Sequence, residues 1–288
     1  MPYSENYAKG FKSLIHGYLS MKTLEWLVKT AIENKTILCF GVDPDRIRVN
    51  TISTGRTVED TLAPFFHSII EKLLSENAIA AIKPNYAYFA QYGFDGLFVL
   101  RDIMQHYNKR IPVILDFKRG DIGKTGEAYA KEAYDFWGAD AITISPYMGS
   151  DSVQPFLREG KLAYVLYKTS NPGSKEFQEL KIGKKQLYEI VAEKAVKWKC
   201  GLVVGATDDS IKRVTKITKN KIPLLVPGIG TQGGDLEMVL KTLKGNLPIH
   251  RINASSSIAY AFEKAGGKPE EAALKEAEKL NKTIRKYM

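Results

Sequence analysis

Short apolar segments alternate with longer segments of helical periodicity along most of this chain. The apolar segments are rich in Ile, Val and Leu, and they cover 36–42, 79–84, 111–117, 139–145, 162–168, 201–205, 222–227 and 248–253. A strand that is apolar along its whole length is typical of a parallel sheet, because helices cover both faces of such a sheet. The pattern therefore predicts parallel strands at these eight positions.

Amphipathic helical patterns fill most of the gaps between the predicted strands. They cover 58–76, 93–107, 126–137, 151–157, 184–199, 210–219 and 236–243. Strands that alternate with helices form βαβ units, and eight such units over roughly 250 residues predict a (β/α)8 TIM barrel. Residues 1–34 are predicted to be a helical extension before the first strand, and 268–288 the last helix. We therefore expect 1–288 to form a single α/β domain.

An open, doubly wound sheet is the alternative architecture for the same alternation. It places a glycine-rich turn with the spacing GxGxxG after the first strand when it binds a dinucleotide. The corresponding turn here reads Phe40-Gly41-Val42-Asp43-Pro44-Asp45 and lacks that spacing. The sequence therefore favours the barrel.

Charged residues interrupt two of the apolar segments near their carboxyl ends, where barrels carry their functional groups. Asp116 and Lys118 are two residues apart on one predicted strand, so their side chains share a face. Lys83 ends the preceding strand, and Asp121 follows Lys118 by three residues. Two lysines and two aspartates balance in charge, so the set could be a structural ion-pair network. At the active face of a barrel we favour catalysis, with a lysine as general acid beside fixed carboxylates.

A glycine-rich turn follows the seventh predicted strand and precedes a helix. It reads Pro-Gly-Ile-Gly-Thr-Gln-Gly-Gly-Asp over 227–235. Glycines allow the backbone to approach a ligand closely, and N–H groups at a helix start bind anions. The loops after strands seven and eight commonly hold phosphate in barrels. We therefore predict a phosphate site here, with a simple turn as the alternative.

Composition limits the possible partners. The 288 residues carry a formal charge of +10, with 44% hydrophobic and 26% charged residues, which is typical of a globular protein. Basic and acidic residues are interleaved rather than clustered, so we expect an anionic small molecule and no nucleic acid. Cys39 and Cys200 lie in apolar segments and are expected to be buried thiols of a reducing compartment. The sequence shows no signal peptide and no apolar segment long enough to cross a membrane, so we expect a cytoplasmic protein.

Five motifs in this order resemble those of the orotidine 5′-phosphate decarboxylases, in the longer bacterial and protist-like subgroup. They are Gly-Val-Asp-Pro-Asp at 41–45, Ile-Lys-Pro-Asn at 82–85, Asp-Phe-Lys-Arg-Gly-Asp-Ile-Gly at 116–123, Thr-Ser-Asn-Pro-Gly-Ser at 169–174 and the turn at 227–235. The block at 116–123 is the most specific of the five. The resemblance extends from about Gly41 to Ala261.

The resemblance implies a cofactor-free decarboxylation of orotidine 5′-monophosphate at C6, without a metal. It implies that Lys118 donates the proton to C6 and that Asp116 faces the substrate carboxylate, with Lys83 and Asp121 completing the charge network. It further implies a homodimer with shared active sites. The residues expected to reach the site of the partner subunit are Asp121, Ile122 and Thr125.

The resemblance also implies a set of binding residues. Asp43 is expected to bind the ribose hydroxyls and Ser170 the amide edge of the pyrimidine. Gln232 is expected to bridge the pyrimidine and the phosphate, while Gly233 and Gly234 offer backbone N–H groups to the phosphate.

One position departs from the pattern of the family. An arginine that clamps the phosphate is expected after the eighth strand, and the aligned residue here is Ser256. An ionic hydrogen bond of this kind contributes about 1.5–3 kcal/mol, so its loss would weaken phosphate binding. Arg251 lies nearby in sequence but belongs to the strand itself.

Two other functions remain open on the sequence alone. Related barrels that decarboxylate or cleave sugar phosphates use a similar Asp-x-Lys-x-x-Asp pattern with Mg²⁺, but they need a carboxylate after the second strand. That position holds Lys83, and the next acidic residue is Asp95. A nucleotide-binding barrel with impaired catalysis is the second alternative, for which Ser256 would be the sign.

Overall fold

The computed structural model describes residues 22–206, 210–229 and 235–288. Eight parallel strands form its central sheet, each near one of the predicted apolar segments. They are β1 Leu38–Val42, β2 Ala81–Pro84, β3 Ile114–Arg119, β4 Ala141–Ile144, β5 Leu162–Lys168, β6 Gly201–Val204, β7 Leu224–Pro227 and β8 Arg251–Ala254. Most strands begin two or three residues later than the apolar segments that predicted them.

The strands follow one another around a barrel. The hydrogen-bonded order is β2-β1-β8-β7-β6-β5-β4-β3, so the first strand pairs with both the second and the last. Between β2 and β3 the ring is completed by the parallel bridges Ile82–Val113 and Asn85–Asp116. This arrangement confirms the predicted (β/α)8 barrel.

Helices surround the strands and follow them in the chain. They are α1 Lys22–Glu33, α2 Arg46–Val49, α3 Val58–Ser75, α4 Tyr86–Ala90, α5 Gly93–Tyr107, α6 Gly123–Lys131, α7 Ser174–Phe177, α8 Leu187–Trp198, α9 Ser210–Thr218, α10 Leu236–Leu243, α11 Ser256–Ala259, α12 Phe262–Ala265 and α13 Pro269–Ile284. Local sequence explains the start of two of these helices: the Thr57 side chain caps α3 by accepting from the N–H of Asp60, and the Asp235 side chain caps α10 by accepting from the N–H of Met238.

The helix predicted over 151–157 is wrong. This segment forms two 3₁₀ turns, Ser150–Ser152 and Gln154–Phe156. The preceding Gly149 has a φ of +84°, and Pro155 lacks the N–H that a continuous helix would need there. The helix predicted over 126–137 begins at Gly123 and changes at Glu132 to a single π-helical turn.

Helix α1 closes the amino-terminal end of the barrel. Leu27 packs among the apolar side chains that point to the barrel axis, and Thr23 donates to the carbonyl of Gly160. The fully buried Arg251 donates to the carbonyls of Leu27 and Pro248. Residues 22–33 therefore match part of the predicted helical extension. Residues 1–21 lie outside the described residues, and a single domain over the whole chain stays a prediction.

Candidate active site

Four charged side chains meet at the carboxyl ends of the first three strands. Lys83 lies in β2, Asp116 and Lys118 lie in β3, and Asp43 follows β1. Lys83 is 3% exposed and Asp116 9% exposed, whereas the side chain of Lys118 is 46% exposed. Two members of the cluster are thus buried in the barrel, and one lysine is open to a ligand.

Asp116 is the centre of this cluster. Its Oδ2 accepts a hydrogen bond from Lys83 Nζ at 2.8 Å, and its Oδ1 accepts from Lys118 Nζ. Lys83 Nζ also lies 3.9 Å from Asp43 Oδ1. The two carboxylates and two ammonium groups therefore form one continuous network. Lys83, Asp116 and Lys118 lie together as predicted, but the second carboxylate is that of Asp43 and not that of Asp121.

The network determines the charge state of its buried members. Burial alone would raise the pKa of Asp116, but the positive charges of Lys83 and Lys118 outweigh it and hold that pKa well below its usual range. Burial would likewise lower the pKa of Lys83, but the charges of Asp116 and Asp43 raise it. Both groups are therefore ionised at neutral pH, and a fixed negative charge stands beside the exposed Lys118.

The backbone at Lys118 has a conformation that non-glycine residues rarely adopt. Its φ is +49°, and the pairing of β3 with β4 shifts register between Leu115 and Arg119. A β-bulge of this kind redirects a side chain at the end of a strand, and strained backbone of this kind often occurs at functional sites. The shift turns the Lys118 ammonium back toward Asp116.

Two side chains hold this bulge in place. Thr143 of β4 accepts hydrogen bonds from the backbone N–H groups of Phe117 and Lys118, at 3.0 and 3.1 Å. The guanidinium of Arg119 lies against three aromatic rings, with its central carbon 4.3–4.9 Å from their centroids. These rings belong to Tyr86, Phe117 and Tyr129.

The segment that follows β5 lies at the same end of the barrel as the charge network, on the far side of the ring of strands. Lys168, 6% exposed, donates to Ser174 Oγ at 2.8 Å and pairs with Glu179 Oε1 at 2.9 Å. The side-chain amide of Gln178 bonds the backbone N–H and the hydroxyl of Thr169. This places the neighbouring Ser170 at the mouth of the barrel, where the resemblance expects it to bind a pyrimidine.

Helix α11 begins just after β8 and contains Ser256, at the position where an arginine is expected from the pattern of the family. Ser256 is its first residue and is half-buried. Gly41 of β1 lies close by, because a Cβ added to it would stand 1.9 Å from Ser255 Oγ. Arg251 lies at the start of β8, and its hydrogen bonds go to carbonyls at the other end of the barrel, so it does not replace the missing arginine.

Three further predicted residues, Asp121, Ile122 and Thr125, follow the end of β3. The carboxylate of Asp121 accepts from the N–H of Ile122 at 2.8 Å, beyond the end of β3. Ile122 is 53% exposed, and Thr125 is also exposed. Gln232, Gly233 and Gly234 lie outside the described residues.

The two cysteines are free and buried. Burial raises the pKa of the Cys39 thiol, and that of Cys200, to about 12, so both are neutral, as expected for buried thiols. Within 22–206, 210–229 and 235–288, no group of three or more His, Cys, Asp or Glu side chains could hold a metal ion. Over the same ranges, no helix is both long and apolar enough to cross a membrane.

Comparison with known proteins assigns the family. The model of the orotidine 5′-phosphate decarboxylase / HUMPS family matches residues 36–261. The chain belongs to this family. The match includes every strand of the barrel and all four charged residues of the network, and it confirms the resemblance based on the motifs.

Individual relatives agree with this assignment. The orotidine 5′-phosphate decarboxylase of Herpetosiphon aurantiacus is 40% identical over 263 residues, which are 87% of this chain and 96% of the relative. The structure of Leishmania donovani OMP decarboxylase is similar with a TM-score of 0.75 and 36% identity, covering 92% of this chain and 99% of that one. The structure of the Methanocaldococcus jannaschii enzyme with the inhibitor BMP has a TM-score of 0.62 and 25% identity, over 85% and 98% of the chains.

A longer relative carries the same fold as one part of its chain. Leishmania donovani UMP synthase has a TM-score of 0.76 and 37% identity, and the match covers 93% of this chain. The chain spans 57% of the length of that protein.

Sequence reasoning did not identify the side chains that support the site. Thr143, Arg119 and Lys168 were not predicted to have a role. For Thr143 a signal was present, since it is a hydroxyl inside the apolar segment Ala-Ile-Thr-Ile at 141–144. A buried hydroxyl needs a hydrogen-bond partner, and the nearest unusual polar group was Asp116 on the neighbouring strand.

Proposed function

We propose that this chain converts orotidine 5′-monophosphate to uridine 5′-monophosphate and carbon dioxide, the last step of pyrimidine nucleotide synthesis. Membership of the orotidine 5′-phosphate decarboxylase / HUMPS family supports the reaction. The observation that carries the proposal is the ion-pair network of Lys83, Asp116 and Lys118, which leaves one ammonium exposed at the mouth of the barrel.

The proposed chemistry uses groups of the chain alone. Asp116 is held ionised, so a substrate carboxylate placed beside it experiences repulsion that its departure relieves. The bond between C6 and the carboxylate breaks, and its electron pair remains on C6. A proton of the Lys118 ammonium moves to C6, and solvent returns a proton to the amine. Because the charges are fixed before the substrate arrives, little reorganisation is needed during the reaction.

The substrate-binding roles follow the same proposal. Asp43, beside Lys83, would bind the ribose hydroxyls, and Ser170 the amide edge of the pyrimidine. Gly205 supports the Ser170 segment, since a Cβ added to it would lie 3.3 Å from both the backbone nitrogen and the Cβ of Ser170. Gln232, Gly233 and Gly234 would contact the pyrimidine and the phosphate.

We also propose a homodimer in which Asp121, Ile122 and Thr125 reach the site of the partner subunit. The exposed apolar side chain of Ile122 supports this assignment, because exposed apolar residues beside a site suit an interface. Sedimentation measures the stoichiometry. Mixing Lys118→Ala with Asp121→Ala subunits tests the sharing, because hybrid dimers with shared sites regain activity, whereas separate sites regain none.

Turnover tests the function directly. The decrease of the orotate absorbance is followed with orotidine 5′-monophosphate in buffer that contains a chelator. The wild-type chain is expected to turn over, and Lys118→Ala is expected to lose turnover while keeping its fold and its affinity for uridine 5′-monophosphate. Lys29→Ala, at an exposed lysine of α1, is the control. Near-normal turnover of Lys118→Ala would overturn the proposed role, and a wild-type chain that binds the product without turnover would indicate a binding barrel.

A further inference from the structure

Thr143 is a buried polar residue in an apolar strand. It lies in β4 between Ile142 and Ile144, is 1% exposed, and pairs in register with Tyr164 of β5. Like Ala141 two residues earlier, it faces the barrel axis, and its side chain lies next to the end of β3.

The hydroxyl of Thr143 makes three hydrogen bonds. It accepts from the N–H of Phe117 at 3.0 Å and from the N–H of Lys118 at 3.1 Å, and it donates to Asp116 Oδ1 at 2.8 Å. A hydroxyl has one donor and two acceptor lone pairs, so all its capacity is used. Because two N–H groups occupy the lone pairs, the single proton is directed to the carboxylate.

These hydrogen bonds link Asp116 to Lys118. Asp116 Oδ1 receives both the Thr143 hydroxyl and the Lys118 ammonium. The same hydroxyl accepts a hydrogen bond from the backbone N–H of Lys118. The φ of Lys118 is +49°, a strained conformation that this hydrogen bond helps to hold. One side chain on a neighbouring strand thus fixes both the direction of the carboxylate and the start of the lysine side chain.

We propose that Thr143 is a positioning residue for decarboxylation, which holds Asp116 and Lys118 in the geometry that reacts. This inference rests on the proposed function. Its place in the reaction follows from the contacts: the hydroxyl directs the carboxylate that faces the leaving group and the residue that supplies the proton. Loss of the hydroxyl leaves the buried N–H of Phe117 and the partly buried N–H of Lys118 without this acceptor, so the bulge relaxes and the ammonium moves.

The expected effect is on the chemical step rather than on binding. A displacement of about 1 Å in a reacting group can cost about 100-fold in rate. We therefore expect Thr143→Val, which keeps the shape and removes the hydroxyl, to lower kcat about 10–100-fold. We expect KM, and the Kd of uridine 5′-monophosphate, to change less than about threefold, because pyrimidine, ribose and phosphate contacts lie on other strands.

Two further variants separate positioning from stability. Thr143→Ser keeps the hydroxyl and is expected to restore kcat to within about threefold of the wild type. Thr218→Val removes a hydroxyl of similar burial from the outer helix α9, where it bonds the carbonyl of Val214 at 2.8 Å. It is expected to lower the midpoint of thermal unfolding while leaving kcat unchanged.

Each outcome decides the inference. A low kcat in Thr143→Val with unchanged product affinity and serine rescue supports it. Normal kcat in folded Thr143→Val overturns it, as does an equal loss of kcat in Thr143→Val and Thr143→Ser. If Thr143→Val does not fold, the Thr143→Ser variant decides the question. A kcat reduced by more than about tenfold in folded Thr143→Ser overturns the inference, and a kcat near that of the wild type supports it. Failure of the wild-type chain to turn over would instead refute the proposed function.

Discussion

Replacing Lys83 by methionine should strongly destabilise the fold, because it removes the buried partner of a buried carboxylate. Lys83 Nζ lies 2.8 Å from Asp116 Oδ2, and the two side chains are 4% and 10% exposed. At an effective dielectric constant of about 20, this separation corresponds to an attraction of about 6 kcal/mol. Much of that attraction offsets the cost of burying both charges, and deleting one member of such a pair typically costs about 3–5 kcal/mol.

The sign of the pH dependence follows from Asp116. Its pKa is lower in the folded than in the unfolded chain, so its contribution to stability is present above about pH 4 and is lost as the pH falls through the folded pKa. In Lys83→Met the burial of Asp116 is less well compensated, so its pKa rises and protonation relieves the cost in acid. The difference in unfolding free energy between the two proteins should therefore be largest near pH 7 and should narrow below about pH 5.

Urea unfolding at pH 7, 5 and 4 measures this difference. Lys29→Met serves as the control, because Lys29 is 69% exposed and lies 3.8 Å from Glu33. We expect the control to unfold at the wild-type midpoint. A loss below about 1 kcal/mol in Lys83→Met at pH 7 would refute the argument, since exposed pairs already reach that value. A difference that stays constant from pH 7 to 4 would show that the cost does not come from Asp116.

Three further substitutions test other parts of the molecule. Ser256→Arg should lower KM for orotidine 5′-monophosphate by about 10–100-fold, from an ionic hydrogen bond of about 1.5–3 kcal/mol; an unchanged KM would place the phosphate elsewhere. Burial raises the pKa of Asp140 to about 6, so this group's stabilisation is present below about pH 4 and is lost as the pH rises through 6. Asp140→Asn should therefore be more stable than the wild type at pH 7, by on the order of 1–3 kcal/mol in urea unfolding; an equal pH dependence in both proteins would contradict this. Gly201→Ala would place a Cβ 2.6 Å from the ring of Tyr164 and 2.8 Å from the carbonyl oxygen of Pro223, and it should cost about 1–3 kcal/mol in thermal unfolding. Tyr164→Leu should restore only the part that comes from the ring, and no loss in Gly201→Ala would show that both neighbours move freely.

The alternation of apolar and helical segments was sufficient to predict the barrel, because the two periodicities determine which elements form and the length limits their number. Residue spacing also predicted three members of the charge network, since Asp116 and Lys118 share a face of one strand and Lys83 ends the adjacent strand. It did not predict the fourth member, because Asp43 was expected to bind ribose and Asp121 was expected in its place. Both predictions depend on patterns within single elements, which the sequence displays directly.

Contacts between elements were harder to predict. The hydrogen bonds of Thr143 depend on a register shift between β3 and β4, which the sequence pattern of neither strand predicts. The stacking of Arg119 depends on rings from α4 and α6 in addition to Phe117 of its own strand. The predicted helix over 151–157 was wrong because its apolar spacing does not show the effect of Pro155, which cannot donate the hydrogen bond of a continuous helix.

The pairing of the first strand with the last has a consequence for synthesis on the ribosome. One edge of β1 is covered only when β8 pairs with it, and β8 ends at Ala254. At about 5–20 residues per second, the ribosome needs about 10–40 s to translate the chain from the end of β1 to the end of β8. During that interval the edge of β1 presents unpaired backbone groups, which favour aggregation. Any fragment that stops before β8 keeps this edge open, so soluble expression should require the chain to extend through Ala254.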